Sequence, residues 1–395
     1  MGNDPDVYDG SVGISRRNCL KPYFDETHDL LRASARTFTE REVAPHVDAW
    51  ESAGIFDRAL YRKAAAAGFL GIGYPEELGG TAGDVFHMIA FTEELMNAGS
   101  MGVVAGLGSH AIAIPPIITL GTADQQRRFV PPVLAGEKIA SLAITEPGAG
   151  SDVAGLSTRA VRNGDHYVLN GSKTFITSGT RADLVTVAVR TGEPGHAGVS
   201  LIVVERGTPG FRVSRKIDKM GWCASDTAEH VFEDCRVPAE NLLGSEGAGF
   251  IGIMRNFQNE RLALAVMGHA IADLACRRAK RYADEREAFG RPIAGFQVTR
   301  HKLVDMATRV EISREYNYRL AARMRDGEYV VKEVSMAKNF AAETAEYVCR
   351  EAIQILGGYG YATEFGVERL YRDARILAIG GGTTEIMKEV IWKLL

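Results

Sequence analysis

Beyond Gly249 the chain holds three long stretches with apolar residues at helical spacing: Phe250 to Arg286, Phe296 to Asp326 and Glu328 to Leu356. Helices of about thirty residues are more than twice the usual mean, and none buries its apolar stripe alone. They must pack on one another, so this part of the sequence predicts an antiparallel bundle, completed by a shorter helix near Thr384 to Trp392.

Upstream, Asp25 is placed to cap a helix in which Leu31, Ala35 and Phe38 recur until Pro45 interrupts. Further helices are expected at Arg58 to Ala67, ending at Gly68, at Asp84 to Asn97, and around Asp124 to Leu134. Glu93 and Glu94 read as a solvated helix face. From Ser141 the period changes to two, with strands expected at Asp165 to Asn170, Thr174 to Thr177, Leu184 to Arg190, Ser200 to Glu205 and His230 to Glu233. Turns such as Asn163-Gly164 and Asn170-Gly171 join them without intervening helices, which predicts an antiparallel sheet or barrel. The fold class is α+β multidomain: a polar leader over 1–24, a helical N-terminal domain over 25–140, a central antiparallel β-domain over 141–248, and a C-terminal four-helix bundle over 249–395.

Composition narrows the function. A net charge of −4 and a pI near 6.2 offer no general attraction for nucleic acid. No apolar run approaches the roughly 18 residues of a membrane span, and residues 1–20 lack the apolar core of a secretion signal, so a cytoplasmic protein without a membrane span is expected. Five cysteines without a C-x-x-C pair read as reduced thiols, and His110, His230 and His301 share no ligand spacing, so no metal is expected.

Five motifs carry the chemistry. In Leu142 to Asp152, LAITEPGAGSD, Pro147 and Gly148 force a turn, Gly150 admits close approach of a bound group, and Thr145 and Ser151 add hydroxyls. The loop lacks the third glycine of a dinucleotide fingerprint, and no P-loop sequence occurs. Asn170 to Gly179, NGSKTFITSG, sets Phe175 and the Thr177 and Ser178 hydroxyls at a strand end, where a planar cofactor could lie. Tyr282 to Gln297 ends one helix at Phe289-Gly290 and starts the next after Pro292, with Arg286 and Gln297 on either side of the turn. An arginine there is a helix cap or a pyrophosphate ligand. The last two motifs are Gln354 to Tyr361, QILGGYGY, and Arg372 to Ile386, RDARILAIGGGTTEI.

In this order the five motifs resemble the acyl-CoA dehydrogenase family, flavoproteins that oxidise fatty acyl thioesters. The resemblance runs from about residue 25 to the C-terminus and rests chiefly on TEPGAGSD and on R-x-x-F-G-x-P-I-x-x-F-Q. It implies FAD, with Thr145 and Ser151 at the flavin and its pyrophosphate and Phe175 and Thr177 against the ring. Arg286, Phe289, Gln297, Gln354 and Gly358 would hold the adenosine diphosphate half of a neighbouring subunit's cofactor, with Thr383 and Glu385 adding contacts. A homotetramer, a dimer of dimers, follows by resemblance, as do an acyl-CoA substrate and an electron-transferring flavoprotein as partner. Ser151, Phe257, Arg261 and Gly381 would line the substrate's path.

One departure matters. Where many members carry a glutamate in I-Y-E-G-T, this chain reads Ile379-Gly380-Gly381-Gly382-Thr383. The long-chain and isovaleryl branches place their glutamate before an arginine on a bundle helix, and Asn259-Glu260-Arg261 matches that pattern. Removing a thioester α-proton needs a carboxylate near the α-carbon and donors for the developing enolate. Glu260 precedes the apolar run Leu262 to Met267, which predicts burial and a raised pKa; the alternative is a structural pair with Arg261 or Arg255. The expected activity is dehydrogenation of long or branched acyl-CoA, with an oxidase of the same fold or a non-catalytic scaffold as alternatives.

Overall fold

The computed structural model describes residues 23–395; Cys19 and most of the leader lie outside them. Asp25 caps α1 (Glu26–Phe38), accepting from the N–H groups of Thr27 and His28. Pro45 does not end the segment. The chain passes through a π turn and a 3₁₀ turn into α2 (Val47–Ala53), since proline is tolerated in a first turn. Helices α3 (Ala59–Ala66) and α4 (Val85–Met96) follow, the latter capped by Asp84. Residues 101–120, small and apolar without clear period, form α5 (Met101–Leu107), α6 (His110–Ala113) and α7 (Pro115–Leu120), none of which the sequence reading anticipated. The helix expected around Asp124 to Leu134 is two, α8 (Ala123–Phe129) and α9 (Pro131–Leu134), because Pro131 and Pro132 carry no N–H to continue α8.

The solvated reading of Glu93 and Glu94 is wrong. Glu94 is buried, and Glu93 accepts from Arg32 (2.8 Å), His269 Nε2 (2.8 Å) and the Tyr318 hydroxyl (2.5 Å). Asn317 donates to His269 Nδ1, which leaves the Nε2 proton for Glu93. Burial pushes the Glu93 pKa up, but Arg32, His269 and Tyr318 outweigh it and hold the carboxyl below the usual range. Helix α4 is covered on two sides, so its polar face meets another protein surface instead of water.

The sheet is mixed, which corrects the antiparallel expectation. Its order is β1 (Ala140–Ala143), β4 (Leu184–Arg190), β2 (Arg159–Asn163), β3 (His166–Thr177), β7 (Thr227–Pro238) and β6 (Phe211–Lys216), with β5 (Val199–Glu205) also on β4. β1 runs parallel to β4, and β2 meets β4 in parallel at Arg159 and Arg190. A parallel pair needs a long crossover, not necessarily a helix. Here the TEPGAGSD loop and the β2–β3 hairpin supply it. β3 is one strand through the expected break at Gly171 to Lys173, bulged on either side. β2 and β6 are exposed and polar, hence illegible by alternation.

Both faces of β4 and β5 are buried. Val185, Val187, Ile202 and Val204 face one apolar cluster, whereas Leu184, Ala188, Leu201 and Val203 face a second with Ile114, Phe129 and Val133. Into this second cluster runs the start of α10 (Gly249–Glu285) through Ile253. A Cβ on Gly249 or Gly252 would come within 2.6 Å of Ser200 or Leu120, so both glycines permit the close approach. α11 (Gln297–Arg325) and α12 (Val331–Leu356) complete the long helices. The fourth element is divided between α14 (Val367–Ala374) and α15 (Thr384–Trp392), after a single-turn α13 (Gly358–Tyr361). Among the described residues no single helix is long and apolar enough to cross a membrane, and Cys223, Cys235 and Cys349 are free thiols.

Asp373 on α14 joins the three parts. Fully buried, its Oδ2 accepts from the Met101 N–H of α5 (3.0 Å) and its Oδ1 from the Trp222 N–H of the β6–β7 connection (2.6 Å). Burial, with Glu51 adding to it, pushes its pKa up to about 7 against the two N–H bonds and Arg372. The folded state therefore holds a proton that the unfolded chain has released, so this group's contribution falls as pH rises through about 7. Asp373→Asn must turn its amide toward one of the two N–H donors. Urea denaturation should show a loss of about 1–3 kcal/mol and a flatter stability profile between about pH 6 and pH 8 than wild type.

Candidate active site

The Leu142 to Asp152 loop is held from beneath. Glu146 is buried, pairs with Lys173 Nζ at 2.8 Å, and accepts from the N–H groups of Ser157 (2.7 Å) and Thr158 (2.8 Å). Lys173 also donates to the Ile144 carbonyl at 2.8 Å. The backbones of Glu146 and Ala149 pair across the turn, so Pro147, Gly148, Gly150 and Ser151 stand outward. A Cβ on Gly150 would meet only Thr145 Cγ2, at 3.9 Å. The sequence reading missed Glu146 and Lys173, although Lys173 is the one charged side chain in NGSKTFITSG.

Thr145 is tied to β3 by its carbonyl, which accepts from the Thr174 N–H at 2.9 Å. Next to that bond lies Phe175, at φ +59° on the bulge, with a ring 64% exposed. Such a backbone costs about 1–3 kcal/mol and persists where its surroundings over-determine it; here Thr174 and Ile176 on either side are buried. Thr177, half-buried, accepts through its carbonyl from Ser141 Oγ at 2.7 Å. Thr145, Phe175 and Thr177 therefore share one end of the β1–β3 region.

A second concavity, about 570 Å³, lies where α10 and α12 end, lined by Tyr282, Arg286, Ile293, Leu356, Gly358 and Glu364 among others. Arg286 closes α10 by donating its N–H to Tyr282, and its carbonyl accepts from Ile293, which leaves the guanidinium exposed. Phe289, at φ +52° and 95% exposed, tips the adjoining hairpin. Gln297 and Gln354 are exposed and outside this lining. Thr383 and Glu385 are not brought to it either: with Glu343, Glu346, Arg375 and Ile379 they border a separate hollow of about 240 Å³, and Thr383 caps α15.

The third cluster surrounds Glu260, half-buried on α10. A Cβ on Gly381 would lie 3.5 Å from Glu260 Oε1 and 2.5 Å from Leu264 Cδ1. The backbone at 381 is left-handed, φ +63°. A side chain there would thus be strained and would clash with Leu264, and the carboxylate already borders the space it would enter. No hydrogen bond or ion pair joins Glu260 to Arg261 or to any other described residue, although the Arg261 charge acts on it; the Arg255 side chain lies outside the described residues. Burial raises the Glu260 pKa, opposed by the charges of Arg261 and Lys338. Arg261 is buried over the Phe257 ring, 5.5 Å from its centroid, with Nε unpartnered. Phe257 and Met254 pack into the same apolar cluster as Leu142 and Ile144, which couples the Glu260 helix to the TEPGAGSD loop.

His110 and His230 bond backbone carbonyls, and His301 is exposed. His28, Asp84 and His87 do gather three ligand-type atoms within 4.8 Å, but they are the caps of α1 and α4 bonded to one another.

The helical domain, mixed sheet and helical bundle are those of the FAD-dependent oxidoreductases that act on the CH–CH group of acyl-CoA, and Glu260 is a recessed carboxylate with no bonded partner among the described residues. The chain belongs to the acyl-CoA dehydrogenase family: residues 25–137, 141–235 and 247–395 match its N-terminal, middle and C-terminal domain models. It is 40% identical over 390 residues to the mitochondrial long-chain specific acyl-CoA dehydrogenase of Mus musculus, covering 96% of this chain and 87% of that one. Caffeyl-CoA reductase-Etf complex subunit CarC of Acetobacterium woodii is 37% identical over 375 residues, covering 94% and 99%. The crystal structure of a probable acyl-CoA dehydrogenase from Mycobacterium abscessus is 54% identical with a TM-score of 0.93, covering 94% of this chain and 99% of that one.

The residues present fit FAD: an exposed, strained aromatic beside an open glycine loop suits a ring system, and a free guanidinium in an open cleft suits a pyrophosphate. The buried pair beneath the loop is the part to test. Lys173→Ala strands Glu146 without its cation, which should cost about 3–5 kcal/mol. Thermal unfolding should show the loss, and FAD retention on gel filtration should fall with it; unchanged values for both would show that the loop does not rest on this pair.

Proposed function

We propose that this protein is an acyl-CoA dehydrogenase for long or branched acyl chains, with Glu260 as the base, domains at 25–140, 141–248 and 249–395, and an electron-transferring flavoprotein as acceptor. The observation that carries the reading is the 3.5 Å between Glu260 Oε1 and the Cβ position of Gly381: two positions distant in sequence address the same small volume. The name of the mouse relative favours long chains, and that of the Acetobacterium relative favours a flavoprotein acceptor.

FAD, when bound, supplies the hydride acceptor. The chain's own residues do the rest. Glu260 takes the α-proton, and its raised pKa suits a base working near neutrality. The N–H groups of Gly381 and Gly382 have no acceptor among the described residues and are free to meet the thioester oxygen as charge develops on it. Arg261 keeps a cation beside the carboxylate, and the cluster of Leu142, Ile144, Met254 and Phe257 keeps water from the reacting carbons. Thr145, Ser151, Phe175 and Thr177 seat the flavin end, and Arg286, Phe289, Gln297, Gln354 and Gly358 the adenosine diphosphate end of a neighbour's cofactor, whereas Thr383 and Glu385 border a separate hollow.

A homotetramer completes the reading. Val298, Val304 and Ile312 are exposed apolar side chains on α11, and Phe289 stands almost wholly in solvent. Light scattering should give four chains with about one FAD each. A monomer with full FAD content would overturn that assembly.

Glu260→Gln keeps shape but removes the proton acceptor. Flavin bleaching by hexadecanoyl-CoA in a stopped-flow instrument should slow by about 10²–10⁴, with thioester binding retained. Because the working form is the carboxylate and its pKa is raised, wild-type bleaching should slow as pH falls through a value above the usual carboxylate range. Bleaching at the wild-type rate in Glu260→Gln removes this assignment.

A further inference from the structure

Lys338 is 1% exposed on α12, and its Nζ donates to the Gly382 carbonyl. One residue on, Asn339 Nδ2 donates to the Thr384 carbonyl at 3.1 Å. Two consecutive side chains of one long helix thus grip the turn that enters α15. The turn is one that needs holding, because Gly381 and Gly382 both have positive φ, +63° and +93°. The Cβ position of Gly381 is 3.8 Å from Lys338 Cε and 3.5 Å from Glu260 Oε1, so ammonium stem, turn and carboxylate share one space. Burying a lysine to cap a surface turn is a poor exchange. Burying it beside a reacting carboxylate gives its charge a task.

On the reading of Glu260 as base, we propose that Lys338 is a positioning residue for the reaction. By holding the Gly382 carbonyl it fixes the left-handed turn, so that the Gly381 N–H meets the thioester oxygen while Glu260 takes the α-proton. The charged groups that face Lys338 are Arg261 and Glu260 from α10 and Glu385 from α15. Burial, with Arg261, brings the ammonium's pKa down to about 8, opposed by Glu260 and Glu385. Below that pH it is a cation facing Glu260 and favours the ionised carboxylate. Its removal raises the proton affinity of Glu260, and the acid limb of the rate profile moves to higher pH.

The test compares wild type, Lys338→Met, which has neither bond nor charge, and Lys338→Gln, which keeps a donor without charge, all as FAD-loaded protein. Two readouts are used: flavin bleaching by hexadecanoyl-CoA across pH, and the infrared carbonyl band of bound 2-hexadecenoyl-CoA labelled with ¹³C at the thioester. Lys338→Met should bind FAD and lose about 10²-fold in kcat with little change in KM. Its carbonyl band should shift toward the solution frequency and its acid limb upward. Lys338→Gln should restore the band and most of kcat while its acid limb stays displaced. A wild-type band and kcat in Lys338→Met overturn the proposal. Should Lys338→Met not fold, a displaced band in Lys338→Gln overturns it equally. Absence of bleaching in wild type with any thioester would instead remove the base assignment, and the band, which needs no turnover, still reads the turn.

Discussion

At 37 residues the Gly249–Glu285 helix is about 55 Å long, and almost every part of the site is referred to it. Its first turns are sunk into the sheet through Gly249 and Gly252, Glu260 follows about three turns in, and its end presents Arg286. Farther along, a Cβ on Gly268 would be 3.0 Å from the Ala341 Cβ and carbonyl, so the helix touches α12 backbone to backbone. That crossing lies about two turns from Glu260 and about one from Lys338. A rod clamped at both places cannot shift Glu260 without disturbing either the sheet or the bundle. Precision at the carboxylate comes from helix stiffness and from glycines that bring the partners close.

Much of this frame was legible because it rests on period and punctuation. The long helices end within a few residues of where the apolar spacing stops, and Thr384 to Trp392 is a helix as read. Asp25 and Asp84 cap the helices they precede. What escaped depends on who covers whom. Residues 101–120 are small and apolar on every side, so they carry no period, although they make three helices. β2 and β6 are short of apolar residues because the sheet leaves them exposed. Glu93 looked like any surface glutamate, since its partners Arg32, His269 and Tyr318 lie far away along the chain. Parallel pairing of β1 with β4 could not be inferred from local turns at all.

The site was legible unevenly for the same reason. Motif spacing pointed to Arg286 and Gly358, which the fold brings to one cleft, and to Thr383 and Glu385, which it sets elsewhere. That Phe175 and Phe289 occupy left-handed backbone is a tertiary fact. So is the nearness of residue 381 to Glu260, and with it the meaning of a run of three glycines: position 381 is pinned by Leu264 and by its own φ to the one residue without a side chain. The identity of a residue can be dictated by what a distant residue has already filled.

Asp373 has an implication for how such a chain can change over generations. One carboxylate answers the first free N–H of a helix in the opening part of the sequence and the Trp222 N–H in the middle part, while itself belonging to the last. Segments joined in this way are not interchangeable parts. A recombinant that takes residues 101 and 222 from different parents must still present both donors to the same two oxygens, to within the few tenths of an ångström a hydrogen bond tolerates. Exchange by whole blocks is therefore penalised, and divergence is steered into single substitutions inside a fixed three-part frame, such as the relocation of a glutamate from one wall of the cleft to the other.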